Sequence, residues 1–366
     1  MRILILGTRG IPNQYGGFEA FAERISIVLT GRGHSVGVMQ PCSGKQTLPP
    51  VGKVGRIAIP LPKYLPQNLL KVYYDYLSLR KAQALMPDAV IRCGHSASIF
   101  YPLFPKWLRE RIATNMDGLE WARPKWGVLA RIYLMITERM AIRLSGHVVA
   151  DSQAIAQYIE QKYGSSARYI PYGATPPLPA NDATVLSEYG QSRYSYGLCI
   201  ARIEPENQIE LAIKSFIRIR KPLLLVAPTG NAHAQKLIKT YGDNPFIRFC
   251  GPIYNHQVLS CLRQNANVYY HGHTAGGTNP SLLDAMAGGC CVVAHSNAFN
   301  IEVLGNTGLL FHHQNELERA IERVWSYTEE QRALEGQAAK RLVEGNYCWE
   351  RVADEYLSLF SHRTMP

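Results

Sequence analysis

Met1-Arg2-Ile3-Leu4-Ile5-Leu6-Gly7-Thr8-Arg9-Gly10-Ile11-Pro12-Asn13-Gln14-Tyr15-Gly16-Gly17-Phe18-Glu19 opens the chain and holds the reading of its fold. An apolar run of strand length stops at Gly7, a glycine-rich turn follows, and a helical pattern starts at Phe18. Strand, glycine turn and helix in that order make the first unit of a parallel α/β sheet. Glycines at such a turn let the backbone approach a ligand closely, and the next helix N-terminus offers N–H groups to an anion. The same glycines suit a turn needed only for packing. The spacing is neither the G-x-G-x-x-G of dinucleotide sites nor a Walker loop.

The alternation continues along all 366 residues. Apolar runs predict strands over 2–6, 34–40, 56–60, 88–93, 111–115, 147–150 and 167–170, then over 196–201, 223–227, 247–250, 267–271, 290–294 and 308–311. Helical periodicity falls between them, over 18–31, 67–85, 127–144 and 152–163, then 207–219, 232–241, 255–265, 280–288, 315–327 and 329–345. Gly173 to Asp182 is rich in proline and poor in periodicity, which predicts a linker. The expected division is an N-terminal Rossmann-like domain over 1–172, a linker region over 173–195 and a second Rossmann-like domain over 196–345. A C-terminal helix within 346–366 is expected to return toward the first domain. Two such domains facing each other across a deep cleft would bind ligands at the carboxyl ends of their strands.

Hydrophobic residues make up 46% and charged residues 18%, which fits folded cores rather than disorder. No run reaches the ~18 consecutive apolar residues that cross a bilayer. The opening run is too short for a signal-peptide core, so a cytoplasmic location is expected. None of the eight cysteines forms a C-x-x-C pair, and several sit in apolar runs, so buried thiols are expected rather than metal ligands. The net charge is +11, but residues 1–175 hold 22 Lys and Arg against 10 Asp and Glu, while 176–366 hold 17 against 18. The excess belongs to the first half, and the halves are expected to meet different partners.

Three further segments can carry chemistry. Cys199-Ile200-Ala201-Arg202-Ile203-Glu204-Pro205-Glu206-Asn207 ends a strand on an arginine, which either clamps a diphosphate or is simply solvated. In His271-Gly272-His273-Thr274-Ala275-Gly276-Gly277-Thr278-Asn279-Pro280, a strand feeds a Gly-Gly turn, and Thr278 or Asn279 caps a helix that has proline at its first position. Free N–H groups there suit phosphate or sugar oxygens. Asp284, one turn on, either accepts from a ribose diol or complements the helix dipole. His271 and His273 lack a nearby third ligand, so no metal site is expected. Asn115-Met116-Asp117-Gly118-Leu119-Glu120-Trp121-Ala122-Arg123 sets two carboxylates beside Trp121 and Arg123 at a strand's carboxyl end, fit to orient sugar hydroxyls or a proton. An Asx-type turn is the plainer reading of Asp117. His95 follows another strand and is a weaker candidate.

Together these segments resemble the retaining glycosyltransferases of family four, with the GT-B fold, and more nearly a branch that includes bacterial polysaccharide rhamnosyltransferases. The likeness rests on Gly7 to Pro12, Tyr15 to Glu19, Asp117 to Trp121, Ala201 to Asn207 and Gly276 to Met286, in order along nearly the whole chain. It implies transfer of a sugar, L-rhamnose on a deoxythymidine diphosphate carrier in that branch, from a nucleotide-diphosphate donor with retention of configuration. The second domain would bind the donor and the first the acceptor, a glycan or a lipid-diphosphate-linked glycan in bacterial surface polysaccharide synthesis. Arg202 and Asn207 would lie at the diphosphate, Gly277, Thr278 and Asn279 at the sugar and phosphate oxygens, and Asp284 at the ribose. Gly16 and Gly17 would close over the diphosphate. No Asp-x-Asp element is present, in keeping with leaving-group stabilisation by arginine and helix dipoles, without metal or cofactor.

The chain departs from the family at three positions. Asn207 stands where many members have lysine, Gly276 stands for the first of two glutamates, and Met116 and Asp117 occupy the region of a common histidine. Asp117 with Glu120 is therefore the expected polar pair at the reacting centre, with His95, Trp121 and Arg123 on the acceptor side. A basic acceptor domain would be drawn to the anionic inner face of the cytoplasmic membrane. Lys63-Tyr64-Leu65 through Leu69 to Tyr74, and Lys106-Trp107-Leu108-Arg109, mix basic, aromatic and aliphatic residues as interfacial helices do, though core helices with solvated lysines read the same way. A sugar-nucleotide epimerase is the second enzymatic reading. A basic nucleic-acid-binding protein is the reading from another class, and no nucleic-acid module supports it.

Overall fold

The structure is a computed structural model. It describes residues 1–361 other than Tyr15, Lys45, Lys63, Leu65, Pro124 and Lys125, with the backbone alone for Gln67 and Asn68. The chain forms two compact units, Met1–Gly173 with Trp349–Pro366, and Ala174–Cys348.

Unit 1 runs β1 (Arg2–Leu6), α1 (Gly17–Gly31), β2 (Ser35–Ser43), β3 (Gly55–Leu61), α2 (Gln67–Leu85) and β4 (Ala89–Cys93). A 3-10 segment (Ser96–Leu103) leads to α3 (Lys106–Glu110), β5 (Ile112–Asn115), α4 (Val128–Leu144), β6 (His147–Ala150), α5 (Gln153–Tyr163) and β7 (Arg168–Tyr169). The strands form one sheet in the order β3-β2-β1-β4-β5-β6-β7, every pair parallel. Ile3 to Leu6 and all of β4 are buried, as in a parallel sheet covered on both faces.

On one face Leu4, Leu6, Val90 and Ile112 meet Tyr74 and Leu79 of α2 and Tyr101 of the 3-10 segment. Elsewhere in the unit Phe21 of α1 packs on Tyr172, Tyr356 and Trp349, with ring centroids 5.3, 5.6 and 6.1 Å away. Tyr356 and Trp349 come from the last helix of the chain, Trp349–Ser361, which ends in unit 1. Arg32 pairs with its Asp354, and Arg168 with its Glu355 at 2.6 Å.

Unit 2 runs α6 (Asp182–Glu188), β8 (Gly197–Ile200), α7 (Ile209–Arg218), β9 (Leu223–Val226), α8 (Ala232–Tyr241), β10 (Ile247–Gly251), α9 (His256–Gln264) and β11 (Val268–His271). There follow α10 (Pro280–Ala287), β12 (Val292–His295), α11 (Ala298–Leu304), β13 (Leu309–Phe311), α12 (Gln314–Trp325) and α13 (Glu329–Asn346); α14 is the helix already placed in unit 1. The second sheet is parallel throughout, in the order β10-β9-β8-β11-β12-β13. In α12 the buried positions Leu317, Ala320, Ile321 and Val324 follow helical spacing. Asparagine caps recur: Asn181, Asn231, Asn255, Asn279 and Asn297 each accept a first-turn N–H.

The strands expected from the apolar runs are all present, with ends within a few residues of those read. Helices α3, α6 and α11 were not expected. None exceeds seven residues, too short for a helical period to show. The segment expected as linker is attached to unit 2. Thr175 N–H donates to Asp284 at 2.9 Å, Leu178 N–H donates to Ser260 Oγ at 3.0 Å, and 182–188 is helical.

Candidate functional site

In each sheet the strand order reverses once, and loops leaving the two strands beside such a reversal form the usual ligand crevice of an open α/β sheet. In unit 1 the reversal falls between β1 and β4, in unit 2 between β8 and β11.

The loop after β1 lies directly on the end of β4. Gly7 has φ +91, and a Cβ there would sit 2.0 Å from Arg92 Nη1 and 2.2 Å from the Cys93 carbonyl oxygen, so only glycine fits. Arg92 is itself buried and pairs with Asp75 at 2.7 Å, whose other oxygen accepts from Ser96 Oγ at 2.7 Å. Two glutamates of α1 hold the loop: Arg9 N–H donates to Glu19 and Asn13 N–H to Glu23, both at 2.8 Å. Gly16 occupies the N-cap of α1 with extended backbone and no side chain to cap it, and Gly17 is the first helical residue. Tyr15, beside them, lies outside the described residues. Arg9, Gly10, Gln14, Glu19, Gln40 and Arg56 are among the lining of a pocket of about 270 Å³ under this loop.

Asp117, Glu120 and Arg123 come together on the loop after β5. Asn115 Oδ1 accepts the Asp117 N–H at 3.0 Å, so the Asx turn belongs to Asn115 and holds Asp117 at φ +57. Arg123 bonds Glu120 through Nε at 2.6 Å and lies 3.6 Å from Asp117 through Nη2. Glu120 also accepts from Trp126 Nε1 at 3.2 Å. The two carboxylates thus share one nearly buried cation, an arrangement suited to accepting hydroxyl hydrogens.

Trp121 turns to another group that the sequence reading missed. Its Nε1–H donates to Glu138 at 3.0 Å, and Glu138 also accepts from Tyr158 at 2.8 Å, Tyr163 at 2.5 Å and Lys162 at 3.1 Å. Lys162 Nζ lies about 5 Å from the ring centroids of Trp121, Tyr158 and Tyr163. Burial lowers the Lys162 pKa, but hydrogen bonds to Tyr158, Tyr163 and Glu138 more than offset that and raise it. His95 is buried between the 3-10 segment and α4, with Nδ1 3.0 Å from Thr137 Oγ1 and no partner at Nε2 among the described residues. Burial pushes its pKa down to about 4, so the ring is neutral at neutral pH.

In unit 2 the loops after β8 and β11 are tied to each other. Thr274 N–H and Oγ–H both donate to the Glu206 carbonyl oxygen, and Tyr270 Oη donates to Gln208 O at 2.9 Å. Gly272 permits this approach, because a Cβ would meet Asn207 O at 2.5 Å. Asn207 is buried and donates through Nδ2 to Arg202 O at 2.8 Å, so its side chain shapes the arginine's loop. Asn279 caps α10 by accepting from Ser281 N–H at 2.9 Å, with Pro280 first in the helix. Ser281 Oγ–H in turn donates to Ile200 O, which fixes the start of α10 to the end of β8. Gly277 and the buried Thr278 lie in the turn just before that cap.

Asp284 has internal partners on both oxygens, Thr175 N–H at 2.9 Å and Arg263 Nη2 at 3.3 Å. Both of its oxygens thus have a partner within unit 2. His271 and His273 stack at 4.3 Å, and burial pushes His271 down to about 3. The turn is backed by Asn297 and Asn300, which donate to His273 O at 2.7 and 3.1 Å, a support from α11 that the sequence reading did not include.

Comparison with known proteins agrees with this layout. Residues 1–175 match the family described as Domain of unknown function (DUF1972), and residues 195–326 match Glycosyl transferases group 1. An uncharacterized glycosyltransferase of Methanocaldococcus jannaschii is 25% identical over 175 residues, which cover 44% of each chain. The match thus spans less than half the length of that curated relative. Sucrose-phosphate synthase from Thermosynechococcus elongatus superposes with a TM-score of 0.81 at 17% identity, over 98% of both chains. The Anabaena protein HepE, solved in complex with UDP-glucose, superposes with a TM-score of 0.74 at 16% identity, over 99% of this chain and 100% of its own. The two parallel-sheet units therefore have the GT-B fold, and the stretch similar to Glycosyl transferases group 1 falls within unit 2.

Proposed function

We propose that the protein is a retaining glycosyltransferase that moves a sugar from a nucleotide-diphosphate donor to a hydroxyl of a glycan or lipid-linked acceptor. The observation that carries the reading is the meeting of the Arg202 loop with the 272–279 turn at the strand reversal of unit 2. Arg202 and the N-terminal end of α10 place positive potential where a departing diphosphate develops charge, which calls for neither metal nor cofactor. Asn279 spends its side chain on the cap, so Gly277 to Asn279 would serve oxygens through main-chain N–H groups. The UDP-glucose held by the Anabaena neighbour supports a donor of this chemical class.

Unit 1 takes the acceptor in this reading. Gly16 and Gly17 offer an uncapped helix start, and Asp117 with Glu120 orients the attacking hydroxyl. The family-four resemblance and its rhamnosyltransferase branch make L-rhamnose on deoxythymidine diphosphate the first donor to try, in bacterial surface polysaccharide synthesis at the inner face of the cytoplasmic membrane.

Calorimetric titration with a panel of nucleoside diphosphates tests the donor half. One of them is expected to bind, and Arg202→Ala is expected to weaken it by about tenfold or more. Proton NMR of the product's anomeric centre tests retention. An unresponsive panel, or an inverted product, would overturn the respective half.

A further inference from the structure

Helix α4 buries Leu134, Ala141 and Ile142, yet a large part of its apolar surface faces outward. Its inward side is fastened by polar bonds: Tyr133 Oη donates to Ser96 O at 2.9 Å, Ser98 Oγ donates to Thr137 O, and Thr137 Oγ1 meets His95. Glu138, also inward, receives the Trp121, Tyr158, Tyr163 and Lys162 bonds. The opposite side carries Val128, Leu129, Ile132, Met135 and Ile136, all exposed, Val128 at 73% and Leu129 at 84%. Their spacing repeats each helical turn, so they form one continuous stripe. An exposed apolar stripe of this length marks a surface that something covers.

We infer that this stripe docks on the headgroup region of an anionic lipid bilayer, with α4 lying in the plane of the interface. The charges on the helix select that occupant. Arg131, Arg139 and Arg143 are exposed alongside the stripe, and the one acid of α4, Glu138, faces inward and is paired. Apolar residues flanked by arginines whose stems can bury while their heads reach phosphates are the composition of an interfacial helix. The surrounding unit holds the chain's excess of positive charge. No helix among the described residues is long and apolar enough to cross a membrane, so the contact is one of surface docking.

Of the segments whose composition suggested membrane contact, the first exposes Tyr64, Leu69 and Tyr73, but each segment also turns residues into the core. Tyr74 is buried with its hydroxyl 2.9 Å from the Thr8 and Met39 carbonyl oxygens, and Leu108 is fully buried. Lys63 and Leu65 lie outside the described residues.

The inference rests on the acceptor side of the proposed function. Flotation of the full chain with vesicles of phosphatidylcholine, with and without phosphatidylglycerol, tests it. Binding is expected only to the anionic vesicles and is expected to weaken as salt rises. The double variants Ile132→Ser with Ile136→Ser, and Arg139→Glu with Arg143→Glu, should each lose about tenfold or more in binding. All four positions are exposed, so melting should stay at the wild-type temperature, and the charge pair tests the surface even if the serine pair does not fold. Equal binding to both vesicle types, unchanged binding by the two variants, or a solution dimer that Ile132→Ser with Ile136→Ser dissociates, would each overturn the inference. Nucleoside diphosphate titration without lipid reads the donor site separately, so failure of one reading is distinguishable from failure of the other.

Discussion

Thr274 gives both its amide and its hydroxyl hydrogen to the carbonyl oxygen of Glu206, at 2.9 and 3.0 Å. One residue thereby joins the loop after β11 to the loop after β8, the pair on which the proposed diphosphate site depends. A donor site assembled from two loops needs them in register before ligand arrives, or the ligand's binding energy is spent ordering them. Thr274→Val keeps the shape and the amide bond but removes the hydroxyl bond. It should lower stability by about 1 kcal/mol. Nucleotide affinity should fall more steeply than that loss of stability alone implies. Calorimetry beside thermal melting separates the two effects, and equal affinity in the variant would count against a joined site.

Two glycines of the β1 loop should behave oppositely. Gly7→Ala places a Cβ against buried Arg92 at a positive φ, and the cost should be about 3 kcal/mol or more in urea unfolding. Gly16 has extended backbone, and a Cβ there meets nothing closer than Glu19 Oε2 at 3.5 Å. Gly16→Ala should therefore melt within about 1 kcal/mol of wild type. If substrate approaches this main chain closely, the same variant loses turnover, and full activity would remove Gly16 from the site.

Asp284→Asn distinguishes a structural carboxylate from a ligand-binding one. The amide oxygen can still accept from Thr175 N–H, but Arg263, which is nearly buried, loses its counter-charge. Uncompensated buried charge is expensive, and a loss of about 2–4 kcal/mol in unit 2 is expected with or without nucleotide. A variant that melts normally yet binds nucleotide poorly would instead return Asp284 to the ribose.

Acid should destabilise unit 1 through His95. Burial pushes its folded pKa down to about 4, against 6.5 for the unfolded residue. As pH falls below the unfolded value the unfolded chain takes up the proton first. Stability is therefore full above that value, falls between the two by up to about 1.4 kcal/mol per pH unit, and levels off below the folded one. His95→Asn should flatten this limb, and His271, held near 3 by burial, should leave a second limb in unit 2. Unfolding curves followed from pH 7 to about pH 4 in both proteins test the assignment.

Both sheets were legible because parallel strands buried on two faces read as short apolar runs, and Ile3 to Leu6 and Leu223 to Val226 are such runs. The capped start of α10 was equally plain, since Asn279-Pro280 has a local meaning. What stayed hidden depends on partners distant in sequence. Nothing near Glu138 says that Trp121, Tyr158, Lys162 and Tyr163 converge on it. The helical periodicity over 127–144 does not say which side packs inward, and a ranking by apolar character alone would bury Ile132 and Ile136. The bonds from Ser96, Ser98 and His95 decide otherwise. The bond that Asp284 receives from Thr175, remote in sequence, was hidden in the same way.

Asp117 offers the sharpest test of the reacting centre, because its backbone and its carboxylate can be separated. Its φ of +57 is a conformation that asparagine tolerates and alanine resists. Asp117→Asn should therefore preserve the Asn115 turn and melt like wild type, while Asp117→Ala should lose about 1 kcal/mol. If the carboxylate orients the attacking hydroxyl, both variants lose about 100-fold or more in turnover, with nucleotide affinity unchanged. Glu120→Gln disturbs the 2.6 Å bond to Arg123 and should act more weakly, by shifting the cation that Asp117 shares. Comparable turnover in Asp117→Asn and wild type would assign the pair a purely structural part, holding the loop after β5 through Arg123.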